Sequence, residues 1–400
     1  MPRRAEPNSN RTLQFGTVSI VALSLALGCD WNTGPARQPT APAPATGPQQ
    51  PAQPRPSSAN EFVEVTAGNQ HSCARQKSGA VMCWGRNTYG QLGNGSRDDS
   101  TAMVAVTGLA DAVELVAGGD FSCARRRSGA VVCWGNNQDG QLGDGRGAKV
   151  GAWSTRPTAV AGLSDAIAFG AGEAFACALR RGGKVVCWGA GASGQVGAGG
   201  ERAFALPQPV TGVAKVVSLG VGGQHVCAVE QSGRVMCWGR NTEGQLGDGG
   251  IASRVNARAV QGLADAKSII AGGRHTCALR RQGELACWGE GRQGQLGVAG
   301  EVERERTPIV TGVTGMKDIV AGGEHTCALF SASDMRCWGD NSDGQIDAGR
   351  RPKPTPAKVD GVRGVVDIAA GERHTCVVSG GKVYCWGLAD RGALGPNPRS

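Results

Sequence analysis

Fifteen cysteines and five histidines are the side chains in this 400-residue sequence best suited to metal, redox or covalent chemistry. Fourteen of the cysteines form pairs: Cys73 with Cys83, Cys123 with Cys133, Cys177 with Cys187, Cys227 with Cys237, Cys277 with Cys287, Cys327 with Cys337 and Cys376 with Cys385. His71, His225, His275, His325 and His374 each stand two residues before the first cysteine of a pair, which on a strand puts both on one face. Zinc is the sharpest rival to covalent stapling. Structural zinc sites, however, favour cysteines two to four apart, and Phe121 and Phe175 replace the histidine in two copies. A redox relay is weaker still, because no pair has the Cys-x-x-Cys spacing that lowers a thiol pKa.

The spacing itself favours a disulfide across a hairpin. With Cys73 opposite Cys83, Ala74 meets Met82, Arg75 meets Val81 and Gln76 meets Ala80, leaving the loop Lys77-Ser78-Gly79. Such a three-residue loop ends in a left-handed residue, which glycine supplies without steric cost. Gly129, Gly183, Gly233 and Gly283 hold the same place, but Ser333 does not, so the sixth turn is expected to be the most strained. The last pair is one residue closer; Cys376 opposite Cys385 leaves the two-residue turn Gly380-Gly381. Directly opposed cysteines on adjacent strands lie within disulfide reach, and seven disulfides, one per copy, are expected.

The second cysteine of every pair begins Cys-Trp-Gly, and the seven tryptophans are 50, 54, 50, 50, 50 and 48 residues apart. Each copy holds about four short β-like segments between glycines, as in "DAKSII", "HTCAL", "ELACW" and "TPIVTG" from residues 265 to 312. That is the pattern of a propeller blade. A further strand-like segment falls only between copies, six for seven blades, so residues near 52–60 would have to supply a missing strand or one blade would be short. The chain carries 65 Gly and a net charge of +9, which falls to +6 when the first 60 residues are set aside. So dilute a positive charge favours solubility over nucleic-acid binding.

Arg3, Arg4 and Arg11 precede an apolar run from Phe15 to Gly28, too short for a confident membrane span, and the run ends in "LSLALGCD". Residues 1–28 read as an export signal. The ending resembles the lipobox of bacterial lipoproteins, with Ala26 and Leu27 transposed relative to the usual order, which makes Cys29 the expected lipidation site. Residues 29–60 then form a lipidated N terminus and a Pro/Ala-rich leash, and residues 61–400 the repeat domain. Export favours oxidised cysteines.

The strings Ala-Gly-Gly-x-His-Thr-Cys-Ala-Leu, Gly-x-x-x-Cys-Trp-Gly and Gly-Gln-Leu-Gly resemble the repeat of the regulator of chromosome condensation family, and they cover residues 62 to 395. The resemblance implies an all-β, seven-bladed β-propeller. The turn string departs mildly at "GQVG" (194–197) and more strongly at "GQID" (344–347) and "GALG" (392–395). The family's namesake exchanges nucleotide on a GTPase and docks on chromatin, neither of which suits an exported chain. No catalytic, cofactor or metal site stands out. A non-catalytic, monomeric, envelope-tethered platform that binds a protein or a cell-envelope polymer, with the lipid as its only membrane contact, is expected. The alternatives are a polysaccharide lyase or hydrolase at the propeller mouth and a purely structural envelope protein. The four-residue stretch of the second period lies in "GRGAKVGAWSTRP". Lys149, Trp153 and Arg156 there form the candidate binding loop, although Trp153 could instead cover the edge of its own blade.

Overall fold

The computed structural model describes residues 58–146, 152–300 and 302–399. These residues fold into seven antiparallel sheets, one per repeat, in which sequence order equals spatial order. Blade one has its innermost strand at Phe62–Ala67, followed by His71–Gln76, Val81–Gly85 and an outer strand at Ser100–Ala105. Six sheets have four strands. The seventh has three, at Val365–Ala370, His374–Ser379 and Lys382–Gly387. No helix among the described residues is long and apolar enough to cross a membrane.

The hairpin register is the one the cysteine spacing requires. Cys73 faces Cys83, Ala74 faces Met82 and Arg75 faces Val81, and Gln76 N donates to Ala80 O at 2.8 Å. Gly79 closes the loop at φ +98°. In the seventh blade Ser379 faces Lys382 and Gly380 and Gly381 both have positive φ. The alternation of an antiparallel ladder makes each cysteine pair a non-hydrogen-bonded one, where side chains come closest. All seven pairs are joined as disulfides, with Cα atoms 4.0–4.1 Å apart.

The sixth turn corrects an expectation. Ser333 does not take a left-handed conformation. The register slips instead between Leu329 and Ser331, so that Ser331 faces Asp334 and a two-residue turn, Ala332-Ser333, remains. A bulge at Phe330 absorbs the extra residue, and the strain that a left-handed serine would carry is avoided.

The ring closes through its centre. Asn69 N donates to Gly119 O, Glu173 N to Gly223 O, Gly223 N to Gly272 O and Gly273 N to Gly322 O. Gly323 N then donates to Gly371 O, and Glu372 N returns to Gly68 O in blade one at 3.2 Å. With Gly119 N bonded to Gly172 O, each blade is tied to the next by a backbone bond, accepted by the first Gly of the next blade in five cases and by the second, Gly119 or Gly223, in two. Tight packing around the axis explains the repeated Gly: a Cβ on Gly68 would lie 2.5 Å from Gly118 O and from the His71 ring.

The missing outer strand of blade seven is replaced at one point by the C-terminal tail, where Pro398 bridges Cys385 in parallel and Arg399 N donates to Cys385 O at 2.8 Å. Residues 52–57, expected as the other source of that strand, lie outside the described residues. Val106, Val160, Val210, Val260 and Val359 each donate an N–H to the third strand of their blade. Each stands six residues before the N–H that caps the preceding hairpin, such as Ala112 N on Gly79 O. Phe62 N makes that capping bond to Gly381 O.

Candidate functional site

The five histidines lie wholly inside the ring, between blades. His71 Nε2 meets Ser122 Oγ at 2.8 Å, His225 meets Thr276 at 2.8 Å, His275 meets Thr326 at 2.8 Å, His325 meets Thr375 at 2.9 Å, and His374 meets Ser72 at 2.8 Å. Each hydroxyl belongs to the next blade. It donates its own proton to a main-chain carbonyl: Ser122 to Gln91, Thr276 to Gln245, Thr326 to Gln295, Thr375 to Gln345, Ser72 to Ala393. The hydroxyl can therefore only accept from the imidazole, which fixes the proton on Nε2 and leaves Nδ1 a bare, unpartnered acceptor. Protonating it would bury a cation. Burial accordingly lowers His71, His225 and His275 to about 3, and His325 and His374 to about 4.

The two blades that carry phenylalanine complete the rule. Phe121 and Phe175 are fully buried, and the residues one blade on, in the position of the hydroxyl, are Ala176 and Val226. Phe121 shares one core cluster with Ala176 and Phe175 shares another with Val226. A histidine thus occurs where the next blade offers Ser or Thr, and a phenylalanine where it offers an apolar side chain. The dipeptides HS, FS, FA, HV, HT, HT and HT, compared with an offset of one blade, carry this code in the sequence. The signal is invisible within any single repeat.

The tryptophans of Cys-Trp-Gly are handled the same way. Trp134, Trp188, Trp238, Trp288 and Trp338 donate their indole N–H at 2.9–3.0 Å to the Gln carbonyl of the preceding Gly-Gln-Leu-Gly turn or its "GQVG" form. Trp84 uses Ala393 O at 2.9 Å. "GALG" therefore works, because the bond needs a carbonyl and not the glutamine side chain. The last glycine of these turns has φ of 66–72° and lies on the indole. In "GQID" that glycine is Asp347, which does not take a left-handed conformation, and Trp386 Nε1 is buried without a partner. A cavity of about 360 Å³ opens there.

The axis is narrow. A cavity of about 90 Å³ is lined by the Ala-Gly-Gly segments together with Asn69, Glu173 and Glu372. Burial raises the Glu372 carboxyl above its usual range, and Glu173 and Glu324 push it further. Glu173 accepts from Gln224 Nε2 at 2.6 Å. The histidines do not reach this mouth. Among the described residues no group of three or more His, Cys, Asp or Glu could hold a metal ion.

Of the remaining predicted site residues, Cys29 and Lys149 lie outside the described residues. Trp153 is 44 % exposed, whereas every other described tryptophan is buried. It begins the outer strand of blade two, Trp153–Ala159, opposite Asn136. Arg97 from blade one stacks over its indole at 4.3 Å and is held by a 2.7 Å bond to Thr88 O. Arg156 is exposed on the same strand. Arg97 is the cation on the Trp153 ring; its separation from Trp153 by 56 positions in sequence hides the pairing.

Comparison with known proteins decides the lineage. The Regulator of chromosome condensation (RCC1) repeat matches residues 62–91, 112–141, 166–195, 216–245, 266–295, 316–345 and 365–393, and a second model of the repeat matches six segments from 78 to 378. This chain belongs to the RCC1-repeat family. Human WBSCR16 is similar in structure, with a TM-score of 0.73 at 21% identity over 84% of this chain and 93% of that one. Yeast RCC1 (Prp20), bound to Kap60, gives a TM-score of 0.71 at 20% identity over 88% of each chain. The ectodomain of the receptor kinase CR4 from Physcomitrella patens gives 0.53 at 22% identity over 82% and 74%. At these identities the likeness is one of fold. No curated protein matches the chain by sequence at a significant level.

Proposed function

We propose that this RCC1-repeat propeller is a non-catalytic binding platform, exported and tethered to the bacterial envelope by a lipid on Cys29, that grips a protein partner through the rim of blades one and two. The observation that carries the reading is Trp153. It is a large apolar side chain left half in water at a blade edge, held flat under a guanidinium. Rigid tryptophan beside arginine is the composition of an interface hot spot. Relatives of the fold are protein binders: yeast Prp20 is bound by Kap60, and its binding to Gsp1p and histones is described. The disulfides support an oxidising compartment.

The enzyme alternative draws on Glu173 and Glu372 at the axis. The cavity there is well below the roughly 300 Å³ of a small-molecule pocket, and Glu173 is already engaged by Gln224. A polymer partner at the same rim is an outcome of the test below.

Affinity capture from an envelope extract should recover a specific protein with the wild-type chain and much less with Trp153→Ala, at an unchanged melting temperature. An interface anchor of this kind weakens binding by about 2 kcal/mol or more. Equal capture by both proteins, or a lowered melting temperature with intact capture, would overturn the assignment of this surface. A recovered glycan that the protein turns over would favour the enzyme. Mass analysis of the same preparation should show a lipid-modified Cys29 as the first residue.

A further inference from the structure

The cavity between blades six and seven is independent of the Trp153 rim and arises from one departure in the repeat. In six blades the turn glycine seals the neighbouring indole. In blade six Asp347 turns away instead, to Lys353 Nζ at 2.9 Å and Asn341 Nδ2 at 2.8 Å. The cavity is lined by this opened turn, by Trp386, and by Arg350, Lys358, Asp360 and Arg399. Trp386 is 5 % exposed, and its N–H is a buried donor with nothing to donate to. Such a group is destabilising unless an acceptor reaches it.

The charge around it is also unbalanced. Asp343, at the cavity's edge, is paired with Arg373 at 2.5 Å, and Asp347 with Lys353. Three cations then face one remaining lining carboxylate, Asp360. The Arg399 guanidinium lies over the Trp386 ring, 5.2 Å from its centre, so a planar cation and the indole line the same cavity. An anion with two oxygens in a plane satisfies both, since guanidinium recognises carboxylate through paired hydrogen bonds. A volume of about 360 Å³ lies within the range of small-ligand pockets.

We propose that this cleft binds a carboxylate, with the Trp386 N–H and Arg399 as its donors and Lys358 and Arg350 supplying the field. Either a uronic acid or an acidic peptide side chain would present that group. The purified full-length protein labelled with ¹⁵N-tryptophan tests it, the Trp386 indole signal being assigned by Trp386→Phe. D-galacturonate and N-acetyl-L-glutamate are the two probes, with D-galactose and sodium chloride as controls.

The expected result is a saturable shift of the Trp386 signal with one probe or both, which identifies the source of the carboxylate. Neither control should reproduce it, and Arg399→Ala should weaken binding about tenfold, the loss of a charge-assisted bond. Asp347→Gly restores the turn of the other blades. It should place the Trp386 N–H on Gln345 O and abolish the response while leaving the fold at least as stable. No shift with either probe, a shift matched by chloride or galactose, or an undiminished response in Asp347→Gly would each overturn the proposal.

Discussion

At the scale of single residues, the histidines that most resembled metal ligands turn out to be inter-blade struts. Their spacing from the cysteines was plain in the sequence, and Phe121 and Phe175 already argued against a ligand role. Their partners were not legible, because a ring brings together side chains some 50 positions apart. A double-mutant cycle on His225 and Thr276 tests the code. His225→Phe and Thr276→Val should each cost about 1 to 3 kcal/mol, since each strands a buried polar group or crowds it with carbon. The double variant recreates the Phe175–Val226 pair and should recover at least about 1 kcal/mol of the summed loss; strict additivity in urea unfolding would refute the coupling.

The same residues set a pH dependence. Their folded-state values of about 3 to 4 lie below the 6.5 of a free histidine, so the unfolded chain takes up protons that the folded one refuses. The stability these histidines contribute should be complete above about pH 6.5 and fall as pH drops towards 4. Each histidine contributes a slope on the order of 1.4 kcal/mol per pH unit. Buried Asp367, whose carboxyl is raised well above its usual range by burial, works in the opposite sense at the lower end. The His225→Phe/Thr276→Val variant should flatten the slope by the equivalent of one proton. An unchanged slope would show that His225 is not held neutral.

At the scale of the element, hairpins were the most legible part of the sequence. Cysteine spacing, the glycine that ends each of the first five loops, and the shortened seventh loop marked both register and turn type there. The failure at Ser333 is instructive. Sequence reasoning held the register constant and asked which residue would be strained, whereas the chain kept its dihedrals relaxed and shifted the register at Phe330. The turn motif misled in a comparable way. "GALG" lost a side chain that the inter-blade bond does not use, but "GQID" lost a backbone conformation that it does. Which atoms of a motif carry its contact is not written in the motif.

For the whole molecule, seven copies of one phrase gave the propeller, but closure depended on bonds that no single repeat encodes. The ring is completed by the bond from Glu372 N to Gly68 O, and the short blade is met at one point by the C-terminal tail. The candidate rim was legible in half: Trp153 could be read from its place outside the repeat, while Arg97 had to come from the fold. What unites these observations is that the cysteines and histidines of the repeat are spent on holding the ring. Non-reducing peptide mapping of the intact protein, with zinc analysis of the same sample, tests that most directly. It should join Cys277 to Cys287 and the other six pairs each within its own blade, with no free thiol in the propeller and no zinc; cross-blade links, free thiols or stoichiometric zinc would contradict it.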